Sequence, residues 1–162
     1  MEEESKPHWN IAVKNPEMVS IIKDKKGRLI LWERKIMQRN TVTTVETIGT
    51  LVKEGSGGII IRVKPIASSR MHIYGSGKSA EVRHFYVSRG YRRSGNGDNL
   101  AIFTLRKDLV GGRTVKMADI TAHSGKGAEK FLTTAGFVRM PDGRFTAKAE
   151  KIKIRRGRTR NR

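Results

Sequence analysis

Between Val87 and Leu109 the chain reads VSRGYRRSGNGDNLAIFTLRKDL: a strand end, a glycine-broken turn and an amphipathic helix in direct succession. In the turn, Arg92, Gly95 and Gly97 are spaced R-x-x-G-x-G. Glycines at such positions let backbone N–H groups approach an anion closely, and at a helix N-terminus the macrodipole favours negative charge. Beyond the turn, Ala101, Leu105 and Leu109 recur at i, i+4 and i+8 with Ile102 beside them, which gives a buried face of helical period. A strand feeding this turn would deliver a diphosphate to the start of the helix.

The pattern resembles motif A of the GNAT superfamily of N-acetyltransferases. Downstream, residues 113–121 (RTVKMADIT) read as the next strand, and residues 128–137 (AEKFLTTAGF) resemble the helix and G-F turn that follow it in that family. The resemblance covers roughly residues 79–145, and the first half of the chain has no comparable signature. It implies an α/β (α+β) fold, a mixed and mostly antiparallel central sheet flanked by helices on both faces. It also implies acetyl-coenzyme A as cofactor and acetyl transfer to an amine. On it, Arg92, Arg93, Ser94, Gly95, Asn96 and Gly97 would hold the pyrophosphate, and Phe85, Tyr86 and Val87 would contact the pantetheine arm. Glu81 or His84 would be the general base, since a carboxylate raised by burial or an imidazole near neutrality can take a proton from an amine. The other reading of these two is structural: Glu81 paired with a nearby arginine, His84 an ordinary strand residue. Leu132 stands where many family members place the tyrosine that protonates the departing thiolate. Asp98 follows the second glycine, where a carboxylate opposes a diphosphate unless it is turned away to cap the helix.

With 162 residues the chain is most economically one domain with a proper core. It contains no cysteine, which excludes disulfides and thiolate-bound zinc. The four histidines are far apart, without metal-ligand spacing, so no metal site is expected. Residues 1–10, MEEESKPHWN, have neither a basic start nor an apolar run, and no stretch is long enough to span a bilayer. A soluble, cytoplasmic protein is expected, in the host cytoplasm if the source is a phage. The formal charge of +19 points to a polyanionic partner, nucleic acid first.

Along the chain, residues 1–8 read as a disordered start and 9–149 as the domain. Pro16 fits the first turn of a short helix through Ile22, with Asn15 as cap. Leu29–Trp32, Thr41–Val52, Gly58–Val63 and Ala80–Ser88 read as strands, whereas residues 64–78, punctuated by Pro, Ser and Gly, read as a loop around a short strand at Met71–Tyr74. Gly75–Ser79, GSGKS, ends like a P-loop, but His72 stands where the first glycine is required and a strand follows instead of a helix, which excludes nucleoside triphosphate binding there. PDG at residues 141–143 predicts a terminal hairpin. From residue 150 the chain is dense in cations and reads as a tail that lies on phosphates through Lys151, Lys153, Arg155, Arg156, Arg158, Arg160 and Arg162.

Acyl transfer is thus the leading expectation. The alternatives are a non-catalytic nucleic-acid-binding protein, or an enzyme that modifies DNA bases. For the last, Asp119, His123 and Gly125 resemble the D-x-x-x-H-x-G pattern of phage Mom-type proteins.

Overall fold

The computed structural model describes residues 18–75, 78–117 and 129–154. Eight strands form one sheet: β1 (Met18–Lys23), β2 (Leu29–Arg39), β3 (Val42–Glu54), β4 (Ile60–Tyr74), β5 (Ser79–Val87), β6 (Thr114–Met117), β7 (Val138–Arg139) and β8 (Phe145–Lys148). Their spatial order is β1-β2-β3-β4-β5-β6-β8-β7. The first five follow the chain, each antiparallel to the one before it. β6 joins β5 in parallel and continues antiparallel into β8 and β7. Short turns suffice for antiparallel neighbours, whereas a parallel step needs a crossover. Here the crossover contains α1 (Asn96–Thr104) and α2 (Lys107–Val110).

Strand residues alternate between faces. In β3, Val45, Thr47 and Gly49 are buried while Glu46 and Ile48 are half-buried. On the buried face two apolar clusters form. One, around Trp32, Ile30, Ile66, Ala67 and Leu100, seats α1. The other joins Val82, Val115, Met117, Phe145 and Ala147 of the central strands to Leu132, Ala135 and Phe137. Thr104 Oγ1 of α1 and Ser69 Oγ of β4 lie 2.5 Å apart in the buried layer between them, which fixes the helix on the sheet.

The helix-flanked, GNAT-like α/β architecture expected from the sequence does not form. Of the described residues 52% are strand and 22% helical, mostly one eight-stranded sheet, and the described helices pack on a single face of it. Three local readings account for the difference. The helix expected over Pro16–Ile22 is strand β1 from Met18 onwards, because the β-branched Ile21 and Ile22 are drawn into register with Leu31 and Ile30 of β2. The loop expected over residues 64–78 is continuous strand through Tyr74, fifteen residues of β4 in all. The helix after Gly97 stops at Thr104 instead of running on to Leu109, and α2 is a separate turn. Tertiary pairing overrode local punctuation at the first two places.

Around Pro141 the expected hairpin turn is present: Gly143 has φ 90°, Asp142 Oδ1 accepts the Arg144 N–H, and the Met140 N–H donates to the Arg144 carbonyl. The segment read as a tail from residue 150 is still part of the fold through Ile154. Ile152 and Ile154 pack against the larger cluster, and the Lys153 N–H donates to the Ala135 carbonyl at 2.8 Å. Residues 155–162, with the five arginines assigned to phosphate contact, lie outside the described residues, as do Asp119, His123 and Gly125.

Gly136 marks how closely this segment docks. Its φ is 103°, and a Cβ there would lie 2.5 Å from the Lys151 carbonyl oxygen. Gly136→Ala is therefore expected to cost about 2 kcal/mol or more, from left-handed strain plus a backbone clash. Urea unfolding followed by circular dichroism measures it, and a loss within a few tenths of a kcal/mol would show that the C-terminal segment moves aside freely.

Candidate diphosphate site at the end of β5

β5 and β6 form the only parallel pair among the described residues. Their pairing is described from Ser79–Thr114 to Val82–Met117. At that point β5 carries an extra residue, Arg83, against β4, since Met71 pairs with Val82 but Arg70 pairs with His84. Bulges of this kind re-aim a strand and concentrate near functional sites. Arg83–Val87 then continue along β4 with no strand partner on the β6 side among the described residues.

The chain next makes a 3-10 turn, Arg89–Tyr91, and enters the R-x-x-G-x-G loop. Arg93 has φ 59° and Gly95 φ 88°, two left-handed residues flanking Ser94. A non-glycine residue held in this region stores strain, which is characteristic of ligand clamps. α1 begins at Asn96 without any side-chain cap, and the N–H groups of Asn96 and Gly97 have no acceptor among the described residues. A Cβ built on Gly97 would meet nothing within 4 Å. The helix start lies beside two exposed cations, Arg92 and Arg93, and holds Asp98 in its first turn; the helix N-terminus and the cations favour an anion, and the carboxylate opposes one.

Two residues that sequence reading passed over organise this loop. Asp24, in the β1–β2 turn, has a fully buried side chain. Its Oδ1 accepts the N–H groups of Lys26 and Arg28, and its Oδ2 accepts Arg28 Nε and Asn96 Nδ2. Burial alone would raise the Asp24 carboxyl, but the bonds from Arg28, Asn96 and Lys26 outweigh it and hold the group below the usual aspartate range. Arg28 in turn donates to the Gly90 carbonyl and to Ser94 Oγ, and its guanidinium lies 4.0 Å from the centre of the Tyr91 ring. The signal for this was present in the sequence as D-x-x-x-R within the charged turn KDKKGR, which reads as a solvated turn until the partner loop is known.

The geometry sorts the expected site residues. Ser94 and Asn96 are fully buried, and their side chains serve the loop itself: Ser94 Oγ donates to the Arg92 carbonyl, and Asn96 Nδ2 also donates to the Tyr91 carbonyl. At 0% exposure neither residue presents an atom to a ligand, and of the loop's last four residues only Gly97 is partly open. Phe85 faces the core and stacks on Phe131 with ring centres 6.2 Å apart, and Val87 packs beside the Trp32 cluster. Tyr86 points the other way and is 47% exposed. Glu81 and His84 share that other face, away from α1, where they pair in register with His72 and Arg70. Glu81 accepts from Arg83 Nη1 and from the Tyr74 hydroxyl, and His84 Nε2 lies 2.8 Å from Ser68 Oγ. Leu132 is a core residue, 1% exposed. Lys151 and Lys153 are exposed on the C-terminal segment, distant in sequence from the loop. No three of the described His, Asp and Glu residues gather as metal ligands would.

Comparison with family models, curated proteins and solved structures gave no match. The acetyltransferase resemblance is one of sequence pattern alone, over roughly residues 79–145. No helix among the described residues is long and apolar enough to cross a membrane.

Proposed function

We propose that the chain transfers an acyl group from acetyl-coenzyme A to an amine, in association with nucleic acid. The observation that carries this reading is the end of β5: the strand passes a bulge at Arg83 and runs directly into a strained, arginine-flanked loop at the start of α1. The Gly97 N–H, with the exposed Arg92 and Arg93 nearby in the loop, would hold the cofactor's diphosphate, and the open space at Gly97 would leave room for it. When bound, the cofactor supplies an activated thioester. The chain supplies positioning and hydrogen-bond donors, which is sufficient for direct attack by a neutral amine without a covalent enzyme intermediate. The charge of +19 supports the nucleic-acid association.

Acetyl-coenzyme A at about one hundred times its Kd is expected to stabilise the protein by about 2.7 kcal/mol, a rise in Tm on the order of 5–10 °C for a chain of this size. Gly97→Glu should abolish the shift by setting a carboxylate at the diphosphate position, while Gly97→Ala, for which there is space, should retain it. Differential scanning fluorimetry reads both, and a wild-type protein that shows no shift refutes the reading.

A second reading, nucleic-acid binding without catalysis, is favoured by one observation. Glu81 is already committed to Arg83 and Tyr74, His84 Nε2 is held by Ser68 Oγ, and Leu132 leaves no hydroxyl at its position, so neither a free base nor an acid stands at the expected places. Salt-dependent nucleic-acid binding without an acetyl-coenzyme A shift would select it.

A further inference from the structure

Adjoining the diphosphate loop, and sharing Arg92 and Arg93 with it, one surface combines ordered cations with exposed aromatic rings. The β1–β2 turn lies directly against the loop that follows β5, with the Lys25 N–H donating to the Ser94 carbonyl at 2.9 Å and Arg28 bridging to Gly90 and Ser94. That contact sets Lys25 and Lys26 beside Arg89 and Arg93. All four are exposed, and none has a carboxylate partner among the described residues. The strip continues through Arg92, whose Nε is fixed on the Val87 carbonyl at 2.7 Å and whose guanidinium sits 5.6 Å from the Tyr86 ring centre. Tyr86 stacks with His84, ring centres 6.4 Å apart and planes 27° from parallel, and Ser68 Oγ holds the His84 ring. The result is a backbone-anchored run of positive charge that ends on a pair of exposed, near-parallel rings.

We infer that this strip binds single-stranded nucleic acid, with phosphates along Lys25, Lys26, Arg89 and Arg93 and an unpaired base stacked on Tyr86. Charge complementarity selects a polyanion. The aromatic pair narrows the choice, because a cationic groove with flat rings accommodates unstacked bases, whereas bases inside a duplex keep their faces covered. The inference places the nucleic-acid contact on the folded domain instead of the C-terminal tail, and it holds whether or not acyl transfer occurs.

The test measures binding of a fluorescent oligothymidylate to the full chain across a range of salt concentrations. Lys25→Gln/Lys26→Gln/Arg89→Gln is expected to lower the slope of log K against log salt by up to about 2, at about 0.7 per phosphate contact on single strands. Tyr86→Ala should weaken binding about tenfold or more at unchanged slope, the signature of a lost stacking platform, and Tyr86→Phe should restore it. An abasic oligomer of the same length should bind the wild type no more tightly than oligothymidylate binds Tyr86→Ala. An unchanged slope in the triple variant overturns the proposal. So does equal affinity for abasic and base-bearing strands, or binding that depends on these lysines with phosphatidylserine vesicles but not with the oligomer. The acetyl-coenzyme A shift, measured on the same triple variant, should persist. Its absence from every protein, with the slopes as expected, would remove the acyl-transfer reading and leave this one standing.

Discussion

Trp32→Ala is expected to lower unfolding stability by about 3–5 kcal/mol, the usual range for deleting a fully buried tryptophan. Trp32 is completely buried. It packs among Ile22, Ile30, Ile66, Ala67 and Leu100 and meets Phe103 of α1 at 5.7 Å between ring centres, so its loss also unseats the helix that opens the diphosphate site. Two partners sharpen the expectation. Its Nε1 has no hydrogen-bond partner among the described residues, so Trp32→Phe removes an unsatisfied donor and should cost much less than alanine. Gly49 lies directly across on β3, where a Cβ would fall 2.6 Å from Trp32 Cζ3. Gly49→Ala should therefore destabilise the wild type by about 1–3 kcal/mol yet be nearly silent in the Trp32→Ala background, where the space is empty. Chemical denaturation of the four proteins in that cycle gives the coupling directly. Additive costs would show that the two residues do not share one space.

Asp24→Ala should cost about 3 kcal/mol, since it strands the Arg28 and Asn96 donors around a fully buried position. The pH dependence follows from the direction of the shift. The folded Asp24 carboxyl titrates below its unfolded value, about 3.9, so its contribution is fully present above that value and is lost as pH falls through the lower, folded one. The Tm gap between wild type and Asp24→Asn should thus be constant from about pH 7 to 5 and narrow below about pH 4. A gap that widened on acidification would contradict the assignment. Because the same carboxylate anchors Asn96 at the start of α1, Asp24→Ala should also reduce the acetyl-coenzyme A shift, although Asp24 is not placed against the ligand.

The parts of the fold legible in the sequence were those written in local chemistry. Gly95 before a helix, the PDG turn at residues 141–143 and the alternation around Val82 each specify a conformation through neighbours a few residues away, and each appears where it was expected. β1 and the middle of β4, residues 64–70, were not legible, because Pro16 and Pro65 are ordinary turn signals and it is pairing with β2 and β3 that makes strand from Met18 onwards and through Pro65. At the site, the glycine loop could be seen, but its anchor could not. Asp24 and Asn96 lie seventy-two residues apart, and a single chain gives no sign that a charged turn and a distant asparagine meet. The inward aim of Ser94 was hidden for the same reason: it depends on Arg28.

The strand order also sets a sequence in time. From β1 to β5 every strand lies beside its predecessor, so five strands can zip together through closures of only a few residues each, as soon as the corresponding lengths of chain exist. β6 cannot join until the whole crossover from Ser88 to Arg113 has been spanned. The cradle of Asp24 and Arg28 is therefore ready early, in the first hairpin, and waits for a loop that is among the last parts of the chain to settle. Refolding followed by a probe on Trp32 should run ahead of one placed at Arg92, and the capacity to bind an anion should be recovered with the slower of the two.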